Sequence, residues 1–394
     1  MRIRLLLAAL AALATPAAAQ EPGYRVGVVS ESGDIITWLR PGAGTLVTDR
    51  VVPIGVMPAD IDGPHNIAAA PDGKSYFVTI AHGTPYGTLW HLDARTDAVL
   101  GRAPVELFPT TVSPTPDGEL AFVANSDFHG DRPRENVLSI IHVPQMQKIT
   151  DIPVCDMPHG VKVNHAGTKL YVTCMHSDEL LEVDVSLFGI QRRVKVGGGH
   201  GMAGMDHGAM APRPAATAPM PGGPMGHGAH GGPAAPANQV VPAGIDTTRE
   251  CSPTFIAVSP DDRRLYSTCN YGNSVMVWDA ATWALVKEVP TGKGAYNVEP
   301  SPDGKWVIAS NKKEQSASII DARTLTEVAR VRTTKPIVHG VAYSPDSRYA
   351  FVTAESVGAD PGSIDMIDLA TFKVVATVPL PAQPTGVAIV PVSR

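Results

Sequence analysis

His65–Ile80 reads HNIAAAPDGKSYFVTI, and the same phrase returns five times. TTVSPTPDGELAFVAN begins at Thr110, HGVKVNHAGTKLYVTC at His159 and TFIAVSPDDRRLYSTC at Thr254. YNVEPSPDGKWVIASN begins at Tyr296 and HGVAYSPDSRYAFVTA at His339. Each copy is a short β-run, a Pro-Asp-Gly-type turn and a second β-run with an aromatic near its start. Such turns between alternating apolar runs signal tight hairpins, because Gly and Asp tolerate the backbone of a sharp reversal. A third run ending in Asp follows most copies: LWHLDART to Thr96, VMVWDAAT to Thr282, ASIIDART to Thr324 and DMIDLAT to Thr371. A fourth run follows, such as LVKEVPTG or VVATVPLP. Four strands in a unit of about 42–49 residues is the pattern of a propeller blade.

Six units are complete and the seventh is split. YRVGVVSESGDIITWL from Tyr24 matches second and third strands, and PTGVAIVPV from Pro384 matches a lone first strand. Joining them closes a ring and removes the exposed sheet edges that make open sheets a liability. The fold predicted for residues 20–394 is therefore all-β: a seven-bladed β-propeller closed by pairing of its N- and C-terminal strands. An all-β sandwich is the alternative, and the regular repeat argues against it.

The first 19 residues, MRIRLLLAALAALATPAAA, have the form of a secretory signal peptide. Arg2 and Arg4 precede a short apolar core, and Ala17 and Ala19 suit a signal peptidase. The core is too short to span a membrane, and no later apolar stretch of about 18 residues appears. A periplasmic or secreted location is expected. A net charge of −6 argues against a nucleic-acid partner.

The tags YVTC at Tyr171, FVTA at Phe351 and FVAN at Phe122, with SPDGK-type turns, resemble the YVTN-repeat β-propeller family. That family includes lactonase-like and surface-layer-like proteins. There is a more distant likeness to the propellers of nitrous oxide reductase and of the cytochrome-type nitrite reductases. The resemblance implies the fold. It leaves function to the site, because one fold hosts many activities.

One segment has no strand pattern. Residues 197–237 are dominated by Gly, Ala and Pro and carry His200, Met202, Met205, His207, Met210, Met220, Met225, His227 and His230. Such a composition buries no core, so a disordered insertion between blades four and five is expected. Thioether and imidazole together select copper over hard cations, so the segment is a candidate copper binder. A low-complexity linker is the other reading.

Equivalent repeat positions converge in space. The residue seven before the turn Asp begins each innermost strand: Thr385, His65, Thr110, His159, Thr254, Tyr296 and His339. The loops after the second strands lie on the same face and carry Glu31, His82, His129, Met175 with His176, Tyr271, Lys312 with Lys313, and Glu355. Thus His65, His82, His129, His159, His176 and His339 should gather near the axis, a set suited to a transition metal. The same histidines could instead only cap strands or bind water. His165 falls on the opposite face, and His91 and His142 on outer strands.

Cys155 with Cys174, and Cys251 with Cys269, each bracket one hairpin on the histidine face. Two disulfides are the simplest reading for an exported chain. The alternative is a soft copper site built from Cys155, Met157, His159, Cys174, Met175 and His176. There is no Gly-x-Ser-x-Gly elbow, phosphate-binding Gly loop or haem Cys-x-x-Cys-His motif. The leading expectation is an exported propeller that binds or buffers copper, its partner being a metal ion or small molecule at this face. A non-catalytic envelope scaffold with a protein partner is the second. An enzyme, either a copper-dependent oxidoreductase or a lactonase-like hydrolase, is the third.

Overall fold

The computed structural model describes residues 23–55, 62–82, 87–126, 136–197 and 250–392. They form seven four-stranded antiparallel sheets. Six sheets take their strands consecutively. The seventh places the C-terminal strand Pro384–Pro391 beside the first strand Tyr24–Ser30, followed by Ile35–Pro41 and Leu46–Pro53. Val26 pairs with Ile389 and Gly27 with Ala388. The split repeat thus closes the ring, and the chain is a seven-bladed β-propeller. The split blade is counted here as blade 1. Among the described residues, no helix is long and apolar enough to cross a membrane.

Burial follows position within a blade. Second strands are packed on both faces between neighbouring sheets, so they are buried almost from end to end. Phe122 and Val123 are both fully buried, as are Ala350, Phe351 and Val352. Outermost strands alternate instead, as in Thr326–Arg332, because one face meets solvent. The core lies between blades: Leu138 and Ile140 of blade 3 pack with Leu170, Val172 and Leu181 of blade 4.

The turns explain the repeated polar residues. Ser259 Oγ donates to Asp261 Oδ1 at 2.6 Å and accepts from the Arg264 amide at 2.9 Å. Ser301 with Asp303 and Ser344 with Asp346 repeat the arrangement. The Asp ending a third strand closes the next turn, and Asp279 Oδ1 accepts from the Thr282 amide at 2.8 Å. These acids are turn formers, as their local hydrogen bonds require.

The Thr of the YVT tag holds the blades together around the axis. Each innermost strand shifts register near its start, as between Pro158 and Val161 or Val338 and Val341. The bulge removes a ladder partner from the amide after the anchor residue. A second-strand hydroxyl replaces it: the Gly160 amide donates to Thr173 Oγ1 at 2.8 Å, and Gly340 to Thr353 at 2.7 Å. The same hydroxyls donate onward to the next blade, Thr173 to the Thr254 carbonyl at 2.8 Å and Thr353 to the Thr385 carbonyl at 2.9 Å. Glycine is needed there, because a Cβ on Gly160 or Gly340 would lie 2.7 or 2.4 Å from those carbonyl oxygens.

Both predicted disulfides are present. Cys155–Cys174 spans 5.8 Å between Cα atoms and Cys251–Cys269 spans 4.6 Å. The alternative copper site using thiolates of Cys155 and Cys174 is therefore corrected: both sulfurs are bonded to each other, leaving no thiolate ligand. Residues 1–19, His129, His200, Met202, Met205, His207, Met210, Met225, His227 and His230 lie outside the described residues. The chain leaves the fourth blade at Gly197 and returns at Glu250, and a Cβ built on Gly197 would stand 2.8 Å from Glu250 Cβ.

Candidate functional site at the axial mouth

The bulges at the innermost strands turn their first side chains toward the axis, and four rings meet there. The His65 ring centroid lies 5.7 Å from His339 and 6.3 Å from His159. Tyr296 lies 4.7 Å from His339 and 5.6 Å from His159. Blades 2, 4, 6 and 7 supply these rings, so residues far apart in sequence become neighbours through ring symmetry. All four are buried. Phe255 closes one side at 5.0 Å from His159, and Phe108 another at 5.3 Å from His65.

The hydrogen bonds fix what each imidazole presents. Burial opposes the charge of Glu31, yet His65 and His82 outweigh it and hold the carboxyl well below the usual range. An ionised carboxylate only accepts, so His65 donates through Nδ1 at 2.9 Å and His82 through Nε2 at 3.0 Å. His65 Nε2 is buried and has no hydrogen-bond partner among the described residues. His159 Nδ1 donates to the Thr254 carbonyl at 3.0 Å, which leaves Nε2 to accept from the Tyr296 hydroxyl at 3.1 Å. Among the described residues, His339 makes no hydrogen bond of good geometry through either ring nitrogen, and its Nε2 is 3.7 Å from Glu355 Oε1.

Charge at the mouth is paired. Lys312 Nζ sits 2.7 Å from Glu355 and 4.2 Å from the Tyr296 ring centre. Burial opposes its charge, but Tyr296, Glu355 and Glu31 hold its proton well above the ordinary range. Burial and the charges of His65 and Lys312 push His159 down to about 3. Burial, then Lys312, His65 and His159, push His339 well below its usual value. Both rings are neutral at physiological pH, the form that ligates metals.

The predicted face is thus partly assembled. His65, His159 and His339 surround one axis, with His82 joined to them through Glu31. His176 lies in the disulfide-bearing loop, its Nδ1 3.7 Å from Asp156, and the adjoining Met175 amide donates to the Met157 carbonyl at 2.9 Å. His165 pairs with Asp262, and His91 with Ser75, away from the axis as expected. Among the described residues, no three His, Cys, Asp or Glu side chains converge as a ready metal cage. Glu31, Tyr296, Lys312 and Glu355 complete the site. Their repeat positions put them on this face, but nothing in the repeat pattern marked them as its partners. Phe108 and Phe255 carried no signal beyond being apolar.

Residues 252–340, which supply Thr254, Tyr296, Lys312 and His339, match the family model described as the cytochrome D1 haem domain. No curated protein matches the chain. Among solved structures, the chain is similar to hydrazine synthase of Kuenenia stuttgartiensis, at 19% identity and a TM-score of 0.61, covering 85% of this chain and 93% of that one. It is similar to a putative 6-phosphogluconolactonase of Bacteroides uniformis, at 13% identity and a TM-score of 0.66, covering 93% and 100%. A second putative 6-phosphogluconolactonase, from Bacteroides fragilis, matches at 14% identity and a TM-score of 0.66, covering 95% and 100%. With these proteins the chain shares a β-propeller fold, built here from seven blades closed by its own two ends.

Proposed function

We propose that this chain is an exported propeller that binds a transition metal, copper, at the axial mouth. His65 and His339 are the ligands. The observation that carries the reading is the pair of buried imidazoles whose Nε2 atoms have no hydrogen-bond partner among the described residues. An orphaned buried polar atom costs about 1–3 kcal/mol, so such a pair makes sense where a ligand completes it. Glu31 supports the reading further. A carboxylate on the far nitrogen orients a metal-binding histidine and raises its basicity. Bound copper would supply Lewis acidity or one-electron chemistry there. The chain's own residues hold the His65 ring through Glu31, keep His339 and His159 neutral and shield the rings with Phe108 and Phe255. The His/Met segment between blades four and five is the copper-capturing element. The signal-like residues 1–19 and the two disulfides support export.

A second reading has a specific basis: the match to a haem domain over residues 252–340 favours a metal carried in a cofactor. One measurement addresses both. Protein purified from its native compartment is analysed for metals and by visible spectroscopy. Copper near one equivalent at the mouth, lost in the His65→Ala/His339→Ala double variant, is expected. A haem spectrum favours the second reading. Metal content unchanged by the double variant would remove the axial site from both.

A further inference from the structure

Resting on the metal reading above, we propose that Tyr296 is a latch on a third imidazole. In the state described here two histidines are open, and release of the Tyr296 hydroxyl lets His159 join His65 and His339.

The three histidines occupy the same repeat position in blades 2, 4 and 7, so the ring aims all three at one axis. Only His159 has both nitrogens engaged. Its Nδ1–H is held by the Thr254 carbonyl, which fixes the lone pair on Nε2. That lone pair faces the Tyr296 hydroxyl within the same cluster of rings as His65 and His339. The group covering it is the Tyr296 hydroxyl, brought from blade 6. The three rings must also draw together around the ion, because among the described residues they do not stand as a ready cage. One O–H···N hydrogen bond breaks and one nitrogen–metal bond forms. The phenol leaves with its proton, so no proton or electron is exchanged.

The latch is itself held. Phe255 packs 5.6 Å from the Tyr296 ring, and the Lys312 ammonium lies 4.2 Å over its centre. The Glu355 carboxylate that anchors Lys312 also stands 3.7 Å from His339 Nε2. The latch ring and an open imidazole therefore share the Lys312–Glu355 pair, and a cation arriving at His339 would disturb the charge that steadies Tyr296. Tyr296 thereby chooses between a two-nitrogen and a three-nitrogen site, the latter being a common donor set for open metal centres.

The test is Cu(II) titration of the metal-free full chain, followed by electron paramagnetic resonance. The signal of the His65→Ala/His339→Ala variant is subtracted to remove copper held elsewhere. Tyr296→Phe should bind copper about tenfold tighter, the effect of a hydrogen bond no longer broken, and show one more coupled nitrogen. Adding His159→Ala should cancel both gains. His159→Ala alone should leave the affinity within about twofold, since one unit of 1.4 kcal/mol is tenfold and no ligand is lost. Unchanged affinity and nitrogen count in Tyr296→Phe overturns the latch and spares the metal reading. Weaker binding with loss of a phenolate absorption makes Tyr296 a ligand and also overturns it. Copper bound by Tyr296→Phe but not by the parent upholds the latch and removes the parent's metal role; copper bound by neither removes both. If circular dichroism shows that Tyr296→Phe does not fold, His159→Ala in the parent decides: a loss beyond about tenfold means His159 is already a ligand.

Discussion

Thr385, Thr110 and Thr254 occupy the same repeat position as His65, His159 and His339, and the two sets behave differently. The threonine hydroxyls turn onto the neighbouring blade. Thr385 donates to the His65 carbonyl at 2.8 Å, Thr110 to the His159 carbonyl at 3.0 Å and Thr254 to the Tyr296 carbonyl at 2.8 Å. A short hydroxyl reaches that carbonyl and is satisfied. The longer imidazoles reach past it into the axis, where two of them have no hydrogen-bond partner at Nε2 among the described residues. One backbone position therefore serves as a staple between blades or places a ring at the axis, according to side-chain length. The stapled positions hold the ring closed so that the unsatisfied ones can be kept at its centre.

The largest break in this comparison is removal of a staple with its strand. Truncation before Pro384 deletes Thr385 and the innermost strand of blade 1, which pairs along Tyr24–Ser30. The expected outcome is loss of cooperative unfolding in a thermal melt; a truncated chain with the parent's melting temperature would refute closure through the ends. A smaller loss should follow Thr173→Val. It removes a buried hydroxyl that serves the Gly160 amide and the Thr254 carbonyl across two blades. Urea unfolding should register about 1–3 kcal/mol, the cost of stranding buried backbone groups.

Within the histidines the comparison sharpens. His159→Leu strands the Tyr296 hydroxyl and loses the bond to Thr254, whereas His339→Leu removes two nitrogens that had no good partner. In metal-free protein His339→Leu should match or exceed the parent in stability. His159→Leu should fall about 1–3 kcal/mol below it by the same urea measurement. Equal losses would mean that the axial nitrogens are not distinguished by their hydrogen bonds.

Acid should test the same ring. Folded His159 stays neutral until about 3, while the unfolded chain takes up its proton near the ordinary 6.5. Between those values the unfolded state binds more protons. The contribution is therefore intact above the ordinary value and lost as pH falls through the window, by about 1.4 kcal/mol per pH unit for one group. His339 acts in the same direction. Unfolding free energies at pH 4 to 7 should fall less steeply in His159→Gln than in the parent. A Thr385→Val variant should keep the parent's slope, because threonine does not titrate.

The smallest effect on stability belongs to the insertion. Gly197 and Glu250 stand side by side, so a short Gly-Ser bridge can replace residues 198–249 without pulling on blades 4 and 5. The melting temperature should hardly move, and the number of Cu(I) ions bound should fall. Equal Cu(I) uptake would remove the segment's proposed role.

The repeat made much of this legible beforehand. Anchor positions, turn acids, disulfide partners and the face carrying His65, His159 and His339 all follow from aligning the copies, because equivalent residues in a ring are related by rotation. Hydrogen-bond partners drawn from different copies do not follow. Tyr296 and His159 are separated by 137 positions, and Glu31 reaches His65 and His82 from the neighbouring blade. By itself the sequence determined seven blades, their closure and which residues begin the innermost strands, since strand period and repeat length are local properties. Tertiary structure alone decided which imidazoles are open and which is covered. That depends on side-chain reach between blades, and on the Thr254 and Glu31 oxygens that fix each ring's proton.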